Sequence, residues 1–254
     1  MNTITTLTQL TGFELALGAV VVFVAGVVRG FSGFALSALV MASLVVLIPP
    51  IELIAVCWML EMSAGLLMVR GGLREWDKPM VLRIAGGSFM GWPVGLYLTH
   101  YLPAQQSKTL ALTLICTLAL LQLLKVRARF LATNMGTVAS GFMAGVATGI
   151  ASVGGMVVAL YVLAREAPAA LMRGSLVMYL VIGSVTGFIF LMLYGMLDHR
   201  ALVRGALAVP LCLTGVAVGT QLFRPSLEKY YRPFCLCLLL ALAGTGLLRT
   251  ALLG

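Results

Sequence analysis

Residues 26–33 read Gly-Val-Val-Arg-Gly-Phe-Ser-Gly, and residues 141–155 read Gly-Phe-Met-Ala-Gly-Val-Ala-Thr-Gly-Ile-Ala-Ser-Val-Gly-Gly. Each lies inside a long apolar tract, at 12–48 and 134–164. One membrane span takes about 20 residues, and two take about 40 with a turn. The first tract is too long for one span and short for two, and its glycine-rich break falls near its middle. The second tract repeats the pattern. Each is read as a helical hairpin with a non-helical tip. Irregular backbone at membrane depth must be buried in protein or line a water-filled cavity. Broken helices of this kind build substrate sites in transporters. Two ordinary short spans joined by a glycine turn are the alternative.

Composition agrees with a membrane setting. Of 254 residues, 61% are hydrophobic and 10% charged. Soluble domains carry roughly 45–50% apolar and about 25% charged residues. A soluble globule cannot hide this much apolar surface, and a disordered chain does not contain it. The net charge of +9 arises from 17 Lys+Arg against 8 Asp+Glu. These cations sit in short loops between apolar runs, which is the positive-inside pattern and not a nucleic-acid footprint. No lysine or arginine precedes Arg29. A secretory signal needs a basic start, so the first apolar run is expected to be retained. The five cysteines form no CxxC, and all are read as buried small hydrophobes. Cys235 and Cys237 are two apart, so on a helix they point about 200° from each other.

The expected fold is an all-α polytopic membrane protein with two repeats, 1–130 and 131–254. Boundaries hold to a few residues. The first repeat has the hairpin at about 12–48 and spans at about 51–70, 79–100 and 105–124. The second has the hairpin at about 134–164 and spans at about 169–195, 200–222 and 231–252. Landmarks recur in order. Gly26-x-x-x-Gly30 matches Gly145-x-x-x-Gly149, and Pro50 matches Pro168. Asp77 with Arg83 matches Asp198 with Arg204. Gly91 with Gly95 matches Gly215 with Gly219, and Pro103 with Lys108 roughly matches Pro225 with Lys229.

Loop charges orient the copies. Arg70, Arg74 and Lys78 crowd one loop, and Lys125, Arg127 and Arg129 another. Both are read as cytoplasmic. If each hairpin enters and leaves on one side, each copy makes an odd number of crossings and the copies are inverted. Arg165, Arg173, Arg224, Lys229 and Arg232 then fall inside, and Arg200, Arg204 and Arg249 outside. Both termini are expected to be external.

Paired copies, each opening on a glycine-rich break followed by three long spans with a Pro turn before the first, resemble the TauE/SafE family. Its members are also called sulfite or sulfonate exporters, or the toluene-sulfonate uptake permease group. The resemblance covers nearly the whole chain. Its best local matches are the two quoted stretches, although only Gly154-Gly155 keeps the family's run of consecutive glycines. It implies a multi-pass transporter of the bacterial inner membrane, embedded in lipid. Its partner would be a small anion such as sulfite, sulfoacetate or another sulfonate, with export the expected direction.

A sulfonate is a permanent anion with three acceptor oxygens. Carrying it through hydrocarbon needs donors and positive potential at depth. Arginine supplies a fixed fork of donors, and half-helix N-termini supply free N–H groups. The first tip offers Arg29, Gly30, Phe31, Ser32 and Gly33. The second offers Thr148, Ser152, Gly154 and Gly155. Arg29 has no charged counterpart in the second copy, where Thr148 stands; snorkelling to the headgroups is its alternative role. Glu61 is the one acid well inside an apolar run, and a charge there must pair, line water or be protonated. It is expected either to carry a coupled proton or to neutralise Arg29. Trp58, three positions earlier on the same face, is a candidate cavity wall, with lipid or core packing as the favoured alternative. Arg83, Arg204 and Arg173 read as interfacial anchors. His100, Tyr97, Tyr101, Trp76, Tyr230 and Tyr231 read as an aromatic belt. Gln122 and Gln221 read as helix–helix glue.

Other function classes fare worse. An embedded enzyme needs a His or Cys constellation or paired deep carboxylates, and the chain has two histidines, neither deep, and one deep acid. Haem ligation fails on the same count, so no cofactor or metal is expected. No Walker A motif exists for an ATPase. Coupling must therefore run through an ion gradient, with protons the candidate, or through the substrate itself. An anion channel of the same fold is the competing class.

Overall fold

A computed structural model describes residues 8–126, 133–165, 168–222 and 228–253. Thr3, Arg127, Arg129, Arg224 and Pro225 lie outside the described residues, as do the side chains of Lys229, Tyr230, Tyr231 and Arg232. All regular structure among the described residues is helical. In chain order the helices are α1 (Gly12–Ser32), α2 (Leu36–Leu44), α3 (Pro50–Gly72), α4 (Lys78–Tyr101), α5 (Ala104–Leu123), α6 (Asn134–Ala151), α7 (Gly154–Ala164), α8 (Ala169–Leu193), α9 (His199–Leu222) and α10 (Glu228–Leu253). Six of them, α1, α3, α5, α8, α9 and α10, are long and apolar enough to cross a membrane. The polypeptide is a multi-pass membrane protein.

Local chemistry sets the helix starts. Thr11 and Glu14 form a capping box at α1, each satisfying the other's backbone N–H. Asp77 caps α4 by accepting the Met80 N–H at 3.1 Å. Thr133 caps α6. Pro50 opens α3, where its missing N–H costs nothing. Both glycine-rich breaks are short and left-handed. Gly33 ends α1 with φ 80°, and its N–H donates to the Arg29 carbonyl at 2.9 Å. Ser152 ends α6 with φ 56°, and its N–H donates to the Thr148 carbonyl at 2.8 Å. The chain then doubles back. Leu44 at the end of α2, with Leu47 and Ile48 just beyond it, shares a cavity with Leu10 and Glu14 at the start of α1. Tyr161 near the end of α7 hydrogen-bonds Thr137 near the start of α6, oxygen to oxygen 2.8 Å.

Glycine determines how the two halves interlock. Along α1 and α9, which run parallel, a Cβ on Gly26 would stand 2.7 Å from the Cys212 carbonyl oxygen, and Gly215 faces Gly26 in return. Along α4 and α6, also parallel, a Cβ on Gly149 would stand 2.7 Å from the Gly95 Cα. Gly87 and Gly91 meet the α6 backbone, and Gly141 and Gly145 meet that of α4. Only residues without a side chain let two backbones approach this closely. Each hairpin's long helix is thus seated on a helix of the opposite half.

Two further cross-half pairs, α3 with α8 and α5 with α10, are antiparallel. On α3 and α8, Gly72 meets Val177 and Met178, Gly65 meets Val181, and Trp58 meets Gly187. On α5 and α10, the Gln105 amide donates to the Thr250 carbonyl at 3.3 Å, and Gly246 faces Leu112. Thr8, whose carbonyl accepts from Arg204 at 2.8 Å, and Thr250 therefore lie at one end of the bundle. Arg165 and Asp77, 3.7 Å apart, lie at the other.

One sequence expectation needs correction. Cys57, Cys212 and Cys235 are buried and Cys116 half-buried, but Cys237 is exposed. The angular offset between Cys235 and Cys237 explains this: if one faces the core, the other must face outward.

Candidate functional site

The two tips converge near the middle of the bundle around a small cavity. Ser37 from α2 and Trp58 with Glu61 from α3 form one wall. Thr148, Ser152 and Gly154 from the second tip form another, and Tyr179, Leu180, Gly183 and Ser184 of α8 with Trp92 of α4 close it. Of the residues expected at the site, Trp58, Glu61, Thr148, Ser152 and Gly154 line this cavity. Arg29, Gly30, Phe31, Ser32, Gly33 and Gly155 do not line it; Arg29 meets it only through Glu61.

On the first-half side the site is built on a buried ion pair. Arg29 is 0% exposed and Glu61 9%. Arg29 Nε lies 3.1 Å from Glu61 Oε2. Arg29 Nη1 donates to the Gly33 carbonyl, which ties the arginine to its own tip. Glu61 Oε1 accepts from the Ser37 hydroxyl at 2.8 Å and from the Ser37 N–H at 3.3 Å. The carboxylate therefore caps the N-terminus of α2, where the helix dipole favours negative charge. Arg29 Nη2 is buried and has no hydrogen-bond partner among the described residues. Arg29 does not snorkel; it sits inside the protein with one donor group to spare.

The second-half side has the same plan without charge. Tyr179 stands as far beyond Pro168 as Glu61 beyond Pro50, and Thr148 precedes Gly149 as Arg29 precedes Gly30. Where one half has a cation and a carboxylate, the other has two hydroxyls. Tyr179 shares a hydrogen bond with Ser88 at 3.1 Å, and the Thr148 hydroxyl donates to the Ala144 carbonyl at 2.7 Å. Both hydroxyls converge on Gly154, the first residue of α7. A Cβ there would collide with Thr148 Oγ1 and come within 3.0 Å of the Tyr179 oxygen. The N-terminus of α7 thus opens toward two hydroxyls, with no internal carboxylate in the place that Glu61 takes at α2.

Aromatic residues fix the remaining wall. Trp58 Nε1–H donates to the Ser184 carbonyl at 2.8 Å, and its ring stacks on Phe188 with centroids 5.6 Å apart. Trp92 stacks on Phe190 at 6.3 Å.

Two of the residues read as anchors take different partners. Arg204 pairs with Glu52 and donates to the Thr8 carbonyl, a brace at the bundle end. Arg173 instead reaches the first tip, donating to the Gly30 carbonyl. Gln122 is helix glue: its amide donates to the Met156 carbonyl at 3.1 Å. Tyr179, Ser37, Trp92 and Ser184 had not been singled out. The signal for Tyr179 was its repeat spacing, which becomes informative only once Glu61 is known to face the other tip.

A family model described as Sulfite exporter TauE/SafE matches residues 18–245, nearly the whole chain. The chain belongs to that family, which places it among membrane transporters of sulfur anions. No curated protein and no solved structure gives a match.

Proposed function

We propose that this member of the sulfite exporter TauE/SafE family is a secondary transporter that exports sulfite, sulfoacetate or a related sulfonate across a bacterial inner membrane. The central cavity is its binding site, reached alternately from the two sides. The observation that carries the reading is the pairing of two buried tips around one cavity: one brings a buried arginine, the other a helix N-terminus with converging hydroxyls. Together they offer the donors that a three-oxygen anion needs. The chain's own groups bind and orient; no bond is made or broken, so the activity is not enzymatic.

Glu61 gives the site its coupling. Its carboxylate lies between Arg29 and the cavity, so an incoming anion meets a like charge at short range in a poorly hydrated space. That repulsion is strong there. Anion occupancy is therefore linked to proton uptake by Glu61, which also frees Arg29 to turn its spare donor to the substrate. Anion and proton travel together, and linkage makes each favour the other.

The two halves are inverted repeats with both termini external. Support comes from the antiparallel contact of matching helices, α3 with α8 and α5 with α10. It comes also from the loop cations Arg74, Lys78, Lys125 and Arg165, which the positive-inside rule assigns to the cytoplasm.

The test is flux in proteoliposomes against sulfite, sulfoacetate, taurine and a carboxylate analogue. Saturable sulfonate or sulfite flux is expected, with Arg29→Ala weakening apparent affinity by about 1.5–3 kcal/mol, as for a charge-assisted hydrogen bond. Non-saturating flux insensitive to a pH gradient favours a channel, and no flux of any sulfur anion sinks the reading.

A further inference from the structure

A second hollow lies on the other side of the first tip, toward the bundle end that carries Arg165 and Asp77. It is bounded by the end of α3, the start of α8 and the end of α9. Its polar groups are Arg173, Thr220, Gln221 and Glu75. The walls are fixed. Gly174 lets α8 press onto the loop backbone, where a Cβ would collide with the Glu75 carbonyl. The Asp77 N–H donates to the Ser175 hydroxyl at 3.0 Å. Arg173 thus projects from a pinned stretch of α8 and not from a loose helix end.

Arg173 also touches the first tip, which lies between the two spaces. It donates to the Gly30 carbonyl, and a Cβ on Gly33 would come within 3.0 Å of its Cγ. The Thr220 hydroxyl reaches the same Gly30 carbonyl at 3.4 Å. On the inner side Arg29 holds the Gly33 carbonyl and faces Glu61. One tip is therefore gripped by two arginines, one belonging to the central cavity and one to the outer hollow.

We infer that the outer hollow is an anion-binding station, where Arg173, the Thr220 hydroxyl and the Gln221 amide hold a small sulfonate before or after it passes the Gly30–Gly33 tip. A guanidinium, a hydroxyl and an amide supply donors for all three sulfonate oxygens. Glu75 in the same hollow offsets part of the positive potential. A station on a transport path must bind weakly enough to release its cargo, and one cation balanced by a nearby carboxylate meets that need. An anion on Arg173 competes with the Gly30 carbonyl for the guanidinium, so occupancy loosens the outer grip on the tip. The inference rests on the transport reading for the identity of the cargo, but the station's preference for anions can be read without transport.

The experiment uses the full chain in nanodiscs with Ala217→Cys, a small change in the wall of the hollow. Labelling at that position is read by peptide mass spectrometry, so the native cysteines stay. The probes are the sulfonatoethyl and trimethylammonioethyl methanethiosulfonates, of equal reactivity type and opposite charge. The anionic probe is expected to react about fivefold to tenfold faster, the effect of one unit charge near contact in a partly hydrated site. Arg173→Gln should bring the two rates together, Arg173→Lys should keep the preference, and sulfoacetate should slow the anionic probe. Equal rates in the parent chain, a preference for the cationic probe, or a preference that survives Arg173→Gln overturns the station. If the preference follows Arg173 while proteoliposomes carry no sulfur anion, the station stands and the transport reading falls. Flux without the preference has the opposite meaning.

Discussion

Arg29 Nε lies 3.1 Å from Glu61 Oε2, and neither side chain is more than marginally exposed. Removing one partner from a buried pair leaves the other as an uncompensated charge, at a cost of about 3–5 kcal/mol. Arg29→Gln and Glu61→Gln should each lower stability by about that much. The double variant should lose less than the sum, with a coupling of about 1–3 kcal/mol. Thermal unfolding in detergent of the four forms measures it; additive losses would mean that the pair does not act as a unit.

Glu61→Gln also separates a titrating carboxyl from a constant counter-ion. It keeps shape and the acceptor for Ser37 but holds no exchangeable charge. Parent flux should respond to an imposed proton gradient and the Gln variant's should not. Unchanged pH dependence in a well-folded variant removes Glu61 from the coupling.

The glycine seams predict opposite signs for one substitution. At Gly91 and Gly219 a Cβ would collide with the Phe142 and Val27 carbonyls of the partner helix, whereas at Gly18 and Gly86 it would meet nothing within 4 Å. Gly91→Ala and Gly219→Ala should cost at least about 1–3 kcal/mol, as overpacking does. Gly18→Ala and Gly86→Ala should stabilise by about 0.5–1 kcal/mol, the helix-interior difference between the two residues. Unfolding midpoints decide it, and a uniform sign across the four would contradict the seams.

Topology offers a fourth check. A reporter fused after Leu252 should report the outer side, and one inserted beside Lys125 the cytoplasm. A cytoplasmic Leu252 would favour parallel repeats.

The all-helical membrane class and the two breaks were legible because apolar content and glycine content are local properties of the chain; the helix at Lys78–Tyr101, expected as a span, is not among the six long and apolar enough to cross. Partners were not. Gly26, Gly95, Gly149 and Gly215 stood out as matching landmarks, yet the match did not identify their partners: Gly26 meets Gly215, and Gly95 meets Gly149. Periodicity tells which face of a helix is small; it does not tell what lies on that face. Arg29 and Glu61 were found by the cost of charge at depth, and their spacing left two roles open for Glu61. Tyr179 was hidden because a tyrosine in an apolar run carries no electrostatic signal. Arg173 was read as an anchor because its position near a helix start suits one, and the tip it reaches is distant in the chain.

The crossed seams also constrain how this chain can be made. Gly26 and Gly30 on α1 are covered by Gly215 and Gly219 on α9, and α4 finds its groove only when α6 follows. A ribosome delivers α1 to the bilayer long before α9 exists. Until then the first hairpin carries an open glycine groove and an arginine whose surroundings are incomplete. Insertion and maturation are thus separate stages: the first half waits, partly unassembled, for its clasp from the second. Long-range contacts of this kind form late and expose intermediates to misassembly. Variants that weaken the seams should therefore reveal themselves first in the yield of intact protein, as targets of membrane quality control, before any loss of transport per molecule.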